Sequence, residues 1–249
     1  MLNEAQSQEQ AEFRQGFGYF DHIQTVLRII EICHKCRLPF FLTFVDREKA
    51  FNSIETNAVL SALIDQGVDA SYMRTSANCY DQCTTTTQLF YRPLTISIGK
   101  GVRYYNYILQ RRYYIVEDVH DCTAMDNEIT FVGRKDIRVD GRFLSNLRFA
   151  DDIALVSSST NEADTMVKEL DEAGKRIGLR INRKETETMK NAYCGDEGIQ
   201  LEGSQIVETL SYVYLGRSMN MENKLKEEPN RMTRAAWAAF ARMGKPGTN

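Results

Sequence analysis

The chain has 249 residues, of which 43% are hydrophobic and 26% charged, and its formal net charge is -3. This length suits one large domain or two small ones with a sizeable core. No apolar run approaches the roughly 20 residues that a membrane-spanning helix needs, and the polar N-terminal segment is no secretory signal. We therefore expect a nuclear or cytoplasmic protein that is neither secreted nor bound to a membrane.

The net negative charge argues mildly against a nucleic-acid ligand, because binding to phosphates needs lysine and arginine. Only one face must be basic, however. The arginines that could form such a face are Arg103, Arg111, Arg112, Arg134, Arg138, Arg142 and Arg148.

Among the six cysteines, Cys33 with Cys36 and Cys79 with Cys83 have spacings that would suit zinc. Cys33 also falls on the apolar stripe of a predicted helix, which favours a place in the core. We expect free thiols, because no secretion signal is evident.

The first hundred residues alternate helical and strand patterns. Helices are predicted from a 3.6-residue apolar period. Strands are predicted from a short apolar run and from clusters of Thr, Leu and Ile. In chain order they are a helix over 21–36, a buried strand over 40–45, helices over 54–66 and 69–83, and a hairpin over 84–97 interrupted near Pro93.

The second half is less regular, and residues 104–135 follow no period that assigns them to an element. After them the sequence predicts three strands from Ile137, with a turn at Asp140-Gly141, a helix from a capping box at Ser159 to near Gly178, a strand pair within 198–216 and a charged helix over 222–243. Interleaved strands and helices predict an α+β domain whose antiparallel sheet is covered by helices on one face.

The chemistry of the sequence centres on Asp151 and Asp152, which lie between the apolar segments NLRF and IALV. Adjacent carboxylates repel each other and are costly to bury unless they bind cations. A tight turn could present both at a sheet edge, and Asp46, at the end of its own strand, could complete a two-metal site for Mg²⁺. The reaction implied is in-line phosphoryl or nucleotidyl transfer. An Asp pair is also common in simple hairpin turns, and that alternative stays open.

Six motifs extend this interpretation over residues 9–243. They are Gln10-Ala-Glu-Phe-Arg14, Phe44-Val-Asp-Arg-Glu-Lys-Ala-Phe-Asn52, Phe149-Ala-Asp-Asp152, Ile177-Gly-Leu-Arg-Ile-Asn182, Tyr214-Leu-Gly216 and Arg234-Ala-Ala-Trp-Ala-Ala-Phe240. The order of these motifs along the chain and their amino-acid sequences resemble those of the reverse transcriptases of non-LTR retrotransposons, most closely the RTE type.

The resemblance implies a polymerase palm-like fold with partial fingers and the start of a thumb. The expected parts are partial fingers and the first part of the palm over 1–100, a divergent segment over 101–136, the rest of the palm over 137–220 and a thumb-side helix and tail over 221–249. The implied activity is that of an RNA-directed DNA polymerase with an RNA template, a DNA primer and deoxynucleoside triphosphates.

The resemblance also assigns individual residues. Asp46, Asp151 and Asp152 would hold two Mg²⁺ ions, or Mn²⁺ in their place. Phe51 would exclude the ribose 2′-hydroxyl, and Arg14 would contact the nucleic-acid backbone. Tyr214 and Gly216 would let the primer approach closely. The alternatives are a buried Phe51, a solvated Arg14 and a plain strand-turn at 214–216.

Several positions depart from the family pattern. Tyr104, Tyr105 and Asn106 stand where the family has Gln, Gly and Asp, and Asn52 replaces its second Asp. Glu185 stands where the family has a lysine thought to protonate pyrophosphate, and an ionised carboxylate has no proton to give. Lys184 would face the other side of a strand there. In the family, strands carrying basic residues for the triphosphate lie further upstream.

These departures leave other functions open. One alternative is a catalytically inactive retrotransposon remnant with at most weak nucleic-acid binding. A weaker one is another two-metal phosphoryl-transfer enzyme, such as a nuclease.

Overall fold

The computed structural model describes residues 18–65, 67–81, 84–89, 92–97, 137–139, 142–149 and 151–222. The predictions for Arg14, the 101–136 segment, the Asp140-Gly141 turn and the helix over 222–243 lie outside these residues or almost wholly so. The side chain of Phe51 is likewise not described.

The described residues form helices and strands that alternate along the chain. The helices are α1 (Tyr19–Cys36), α2 (Ala50–Ser53), α3 (Thr56–Asp65), α4 (Ala70–Tyr80) and α5 (Thr160–Arg176). The strands of the first part are β1 (Phe41–Val45), β2 (Thr84–Leu89), β3 (Arg92–Ser97), β4 (Ile137–Val139), β5 (Arg142–Leu144), β6 (Asn146–Phe149) and β7 (Asp152–Ser157). Those that follow α5 are β8 (Glu187–Lys190), β9 (Gln200–Leu201), β10 (Ser204–Gln205), β11 (Val207–Glu208), β12 (Ser211–Tyr214) and β13 (Arg217–Asn220).

A five-stranded sheet in the order β11-β8-β1-β7-β6 forms the centre of the fold. Strand β1 lies in the middle and pairs antiparallel with both β7 and β8. Only β11 runs parallel to its neighbour β8. The sheet is therefore mostly antiparallel, and the domain is α+β as predicted.

Helices cover both faces of this sheet. Helix α1 packs with Leu42, Phe44 and Val156 on one face, whereas α5 packs with Phe41 and Ile153 on the other. The prediction of helices on one face is therefore wrong. The physical reason lies in β1, whose five residues are all buried; continuous apolar sequence is typical of a strand that is covered on both sides.

Most predicted elements are confirmed to within a few residues, including α1, β1, α3, α4 and α5. Four strands, rather than three, occupy the stretch from Ile137 to Ser157, because Ser145 separates β5 from β6. The predicted hairpin over 84–97 is present, and its two strands are separated at 90–91, just before Pro93, which lies in β3 opposite Gln88. Among the described helices, none is long and apolar enough to cross a membrane.

The strands after α5 depart most from expectation. Instead of one strand pair within 198–216, the chain makes several strands of two to four residues. Among the described strands, β12 and β13 pair with each other alone and form a hairpin outside the central sheet. An alternating pattern identifies a strand, but it does not identify the partner of that strand.

Candidate metal centre

Asp46 and Asp152 meet at the end of the central sheet. Strand β1 pairs with β7 in a register that places Val45 opposite Ile153, and the next residue on each strand is Asp46 and Asp152. Directly opposed residues of an antiparallel pair have Cα atoms about 4.5–5.5 Å apart. Because side chains alternate along a strand, both carboxylates lie on the α1 face, with Phe44.

The backbone and side chain of Asp46 are held by the segment that follows α5. Asn182 donates from Nδ2 to Asp46 Oδ2 at 3.0 Å, and the backbone N–H of Asn182 donates to the Asp46 carbonyl at 2.8 Å. Asp46 N–H donates to Thr186 Oγ1 at 3.3 Å. Partial burial raises the pKa of Asp46, and the hydrogen bond from Asn182 opposes this rise. The carboxylate is thus oriented before any ligand arrives.

Glu185 lies next to Asp46 and adds a further negative charge. Its charge and a side-chain hydrogen bond both raise the pKa of Asp46, after the larger effect of burial. Residues 183–185 form an exposed turn, so the prediction that Lys184 faces away from the site, which assumed a strand, does not hold. The position of the family's lysine is therefore occupied by a carboxylate that contacts the site itself.

Asp152 is the first residue of β7. It lies at the turn end of the β6–β7 hairpin, opposite Phe149. The residue is exposed, but partial removal of its carboxyl group from water raises its pKa to about 6, and the charges of Asp151 and Asp46 add to the rise. Such crowding of negative charge is the condition that a divalent cation relieves.

Asp151 lies in the turn before β7, and its charge adds to the rise in the pKa of Asp152. It also acts on Arg47: burial and the charge of Arg148 lower the pKa of Arg47 to about 9, whereas Asp151 and Asp171 oppose this shift. The charge of Asp151 thus acts both on the candidate site and on a buried arginine.

The sequence predicted that all three aspartates converge; the β1–β7 register sets Asp46 opposite Asp152, and Asp151 precedes Asp152 in the turn. Among the described residues, no group of three or more His, Cys, Asp or Glu side chains is arranged to hold a metal ion. Mg²⁺ is commonly held by one or two carboxylates together with substrate phosphates. Asp46 and Asp152 fit that simpler arrangement, and the metal roles of all three aspartates stay predictions.

Tyr212, which was not predicted from the sequence, lies within electrostatic range of both carboxylates. Its ring stacks on Phe44 with centroids 4.0 Å apart and planes at 9°. Burial, then the charges of Asp152 and Asp46, raise the pKa of Tyr212 to about 12. Its spacing of two residues from Tyr214 places both rings on one face of β12, which is the signal that could have found it.

Of the two residues predicted to contact the primer, Tyr214 is buried and Gly216 lies in a turn. Tyr214 is 2% exposed and packs on Phe44 at 5.3 Å, so its ring belongs to the core. Leu215 and Gly216 both have positive φ, 46° and 82°, as a two-residue type I′ turn requires. Within the part of the chain that the structure describes, no heavy atom lies within 4 Å of the position of a Gly216 Cβ, so that side of the turn is open to it. A primer contact at 214–216 stays a prediction.

Arg148 was expected on a basic outer face, and this expectation is wrong. It is 2% exposed and donates from Nε to Asn146 Oδ1 at 2.9 Å. Of the other arginines considered, Arg138 and Arg142 lie in β4 and β5, and the rest lie outside the described residues. Sequence reasoning also missed the burial of Arg47, since an arginine is rarely buried unless it is paired.

Cys33, on the apolar stripe of α1, is fully buried in the core cluster of that face. Its predicted place in the core is confirmed. Cys33, Cys36 and Cys194 are free thiols.

Comparisons with known proteins bear on origin and fold. No family model matches the chain. An uncharacterized transposon-derived protein of Caenorhabditis elegans is 41% identical over 108 residues, which are 42% of this chain and 39% of that protein. The match supports a transposon origin, and it covers well under half of either protein.

A structure of apo telomerase from Candida tropicalis has a similar fold, with a TM-score of 0.52 and 12% sequence identity. The likeness covers 81% of this chain and 34% of the telomerase chain. At this identity the likeness concerns the fold alone. The chain thus has a polymerase-like α+β fold and spans about a third of the telomerase.

Proposed function

We propose that this chain is the palm portion of an RNA-directed DNA polymerase of transposon origin, and that Asp46 and Asp152 hold a divalent cation, Mg²⁺ or Mn²⁺, for nucleotidyl transfer. The observation that carries the proposal is the β1–β7 register, which sets the two carboxylates opposite each other on one face. The charge of Asp46 supports it, because after burial and the charge of Asp151 it adds to the rise in the pKa of Asp152.

A divalent cation bound between these carboxylates would stabilise the charge that develops on a transferring phosphoryl group and favour ionisation of the attacking hydroxyl. Asn182 would keep the Asp46 carboxylate oriented through its hydrogen bond of 3.0 Å. Tyr212 would form an apolar wall beside the two aspartates, with its ring fixed by stacking on Phe44. Rigid support of this kind keeps oxygen ligands in a productive geometry.

The substrates proposed are an RNA template, a DNA primer and deoxynucleoside triphosphates. The open side of the Leu215–Gly216 turn is the proposed approach for the primer backbone, since glycine has no side chain in the way. The roles of Phe51 against the ribose 2′-hydroxyl and of Arg14 on the nucleic-acid backbone remain part of the proposal by resemblance alone.

Glu185 favours a second candidate, a non-catalytic remnant of such a polymerase. A carboxyl group next to Asp46 lacks the positive charge with which a lysine would attract a triphosphate and assist the departing pyrophosphate. In that case the site still binds a cation but catalyses no reaction, and nucleic-acid binding is at most weak.

One set of measurements separates the two candidates. Mn²⁺ binding is titrated for the wild type, for Asp152→Asn and for Asp196→Asn, whose carboxylate is exposed and belongs to the loop after β8. We expect the Asp152 variant to lose at least about tenfold in affinity, because it removes one of two charged ligands, and the Asp196 variant to bind as the wild type does.

Primer extension on an RNA template with Mg²⁺ is then assayed with the same three proteins. Incorporation that disappears in Asp152→Asn supports the polymerase. Cation binding by a folded protein without incorporation supports the remnant. If the folded wild type binds no divalent cation, both candidates lose their site.

A further inference from the structure

A groove with a volume of about 440 Å³ lies beside the last turn of α1, and the segments that follow β8, β11 and β13 form its walls. Tyr193, Leu210, Met221 and Glu222 belong to these walls, and the groove is named the exit groove here. Leu210 is 89% exposed, the highest value among the large hydrophobic residues that the structure describes, and Tyr193 is 39% exposed. Single exposed apolar residues are ordinary, whereas several around one concave surface indicate a docking site.

The exit groove is separate from the candidate metal centre. Lys190, in its wall, pairs with Phe41 at the start of β1, whereas Asp46 follows the end of that strand. A strand of this length spans about 16 Å. The two sites therefore lie at opposite ends of the central sheet.

The chain itself continues from this groove. Glu222 lies in the wall of the exit groove and is the last residue that the structure describes, so residues 223–249 begin there. A segment tethered at the edge of a groove meets it at a high effective concentration. This segment is therefore favoured as an occupant over any free molecule of similar affinity.

The sequence of the segment also suits an apolar groove. Its large apolar residues recur at a spacing that places them on one side of a helix. They are Met232, Trp237, Phe240 and Met243. Arginines at positions 231, 234 and 242 would fall on the opposite side. A helix of this kind buries its apolar side against a second surface and keeps its charged side in water.

We propose that residues 231–243 of this chain dock in the exit groove as an amphipathic helix, with Trp237 and Phe240 against Leu210 and Tyr193. The segment that resembles a thumb-side helix is then attached to the end of the sheet that lies away from Asp46. The arginine side of the helix faces solvent. This inference does not depend on the proposed function, because it involves neither of the candidate metal ligands.

Trp237 is the only tryptophan of the chain, so the intrinsic fluorescence of the full-length protein reports the surroundings of this one residue. We expect the emission of the folded wild type to be shifted to shorter wavelength than that of the urea-unfolded chain. Iodide should quench it less than half as strongly. Leu210→Asp should move both values to those of the unfolded chain, because a charged group in the groove disfavours burial of the indole beside it.

Ile64→Asp is the matched control. Ile64 is also an exposed apolar residue, at 63%, but it belongs to α3 and does not line the exit groove. The Ile64 variant should keep the emission and the quenching of the wild type. Circular dichroism establishes that each variant is folded, and both side chains are exposed enough for the substitutions to spare the core.

Three results would overturn the inference. The first is a folded wild type whose Trp237 emits and is quenched as in the unfolded chain, and this measurement needs no variant. The second is a folded Leu210→Asp variant that keeps the wild-type emission, because Trp237 is then buried elsewhere. The third is a wavelength shift that appears only as the protein concentration rises, because the occupant then comes from a second copy. None of these results bears on the cation site.

Discussion

Asp46 and Asp152 illustrate what a residue pattern can establish about a site. Their types and apolar neighbours were sufficient to predict them, together with Asp151, as one group, because a carboxylate at the end of a buried strand needs a reason to be there. The burial of the neighbouring Arg47 could not be predicted. It is 3% exposed and lies against Gly174 of α5, far away along the chain.

The tyrosines of β12 also show that a local sequence pattern does not identify which residue lies near a site. Tyr214 was singled out by its motif, yet it is a core residue, while the charges of both Asp152 and Asp46 act on Tyr212. Both rings point to one face of β12. Which of them reaches the site depends on how the β12–β13 hairpin is placed against Phe44, and no local pattern carries that information.

The raised pKa of Asp152 predicts a pH dependence of stability. A carboxyl group with a pKa of about 6 in the folded state and about 3.9 in the unfolded chain binds a proton more tightly when folded. Its contribution to the free energy of unfolding therefore increases as the pH falls from 7 towards 4. Urea denaturation at pH 7 and pH 5 measures this contribution as the difference between the wild type and Asp152→Asn.

The comparison between variants matters because His22 acts in the opposite direction. Burial lowers the pKa of His22 to about 4, so its contribution to stability is lost as the pH falls below about 6.5. That effect is common to both proteins and cancels in the difference. If Asp152→Asn responds to pH as the wild type does, the carboxyl group of Asp152 is not perturbed.

At the scale of the element, α5 was the most completely predicted. Its capping residues and apolar stripe identified both ends: Glu162 N–H donates to Ser159 Oγ at 3.3 Å, and Gly178 adopts a positive φ of 84° beyond the last turn. The short strands β9 to β13 were predicted poorly. Strands of two to four residues contain too little alternation to define a register.

The N-cap of α5 offers a test of these local interactions. We expect Ser159→Ala to lower the free energy of unfolding by about 1 kcal/mol, since a backbone donor of the first turn loses its acceptor. Thr165→Ala, at an exposed position of the same helix, should change it by less than about 0.5 kcal/mol. Chemical denaturation of both variants measures the two values. Equal losses would show that Ser159 does not cap the helix.

At the scale of the molecule, the α+β class was predicted from the interleaving of helices and strands, but the coverage of both sheet faces was not. The predicted sheet lacked α5 on its second face, although β1 is apolar in every position but Thr43. Fold-level likeness to a telomerase agrees with a polymerase palm. Because the chain spans 34% of that telomerase, polymerisation by this chain alone is a proposal.

The central claim concerns where one cation binds, and anomalous X-ray diffraction from crystals soaked in Mn²⁺ tests it most directly. We predict one anomalous peak between the carboxylates of Asp46 and Asp152, about 2.0–2.5 Å from an oxygen of each. A peak coordinated by Asp151 without Asp46, or no peak at the end of the sheet in a well-ordered crystal, would contradict it.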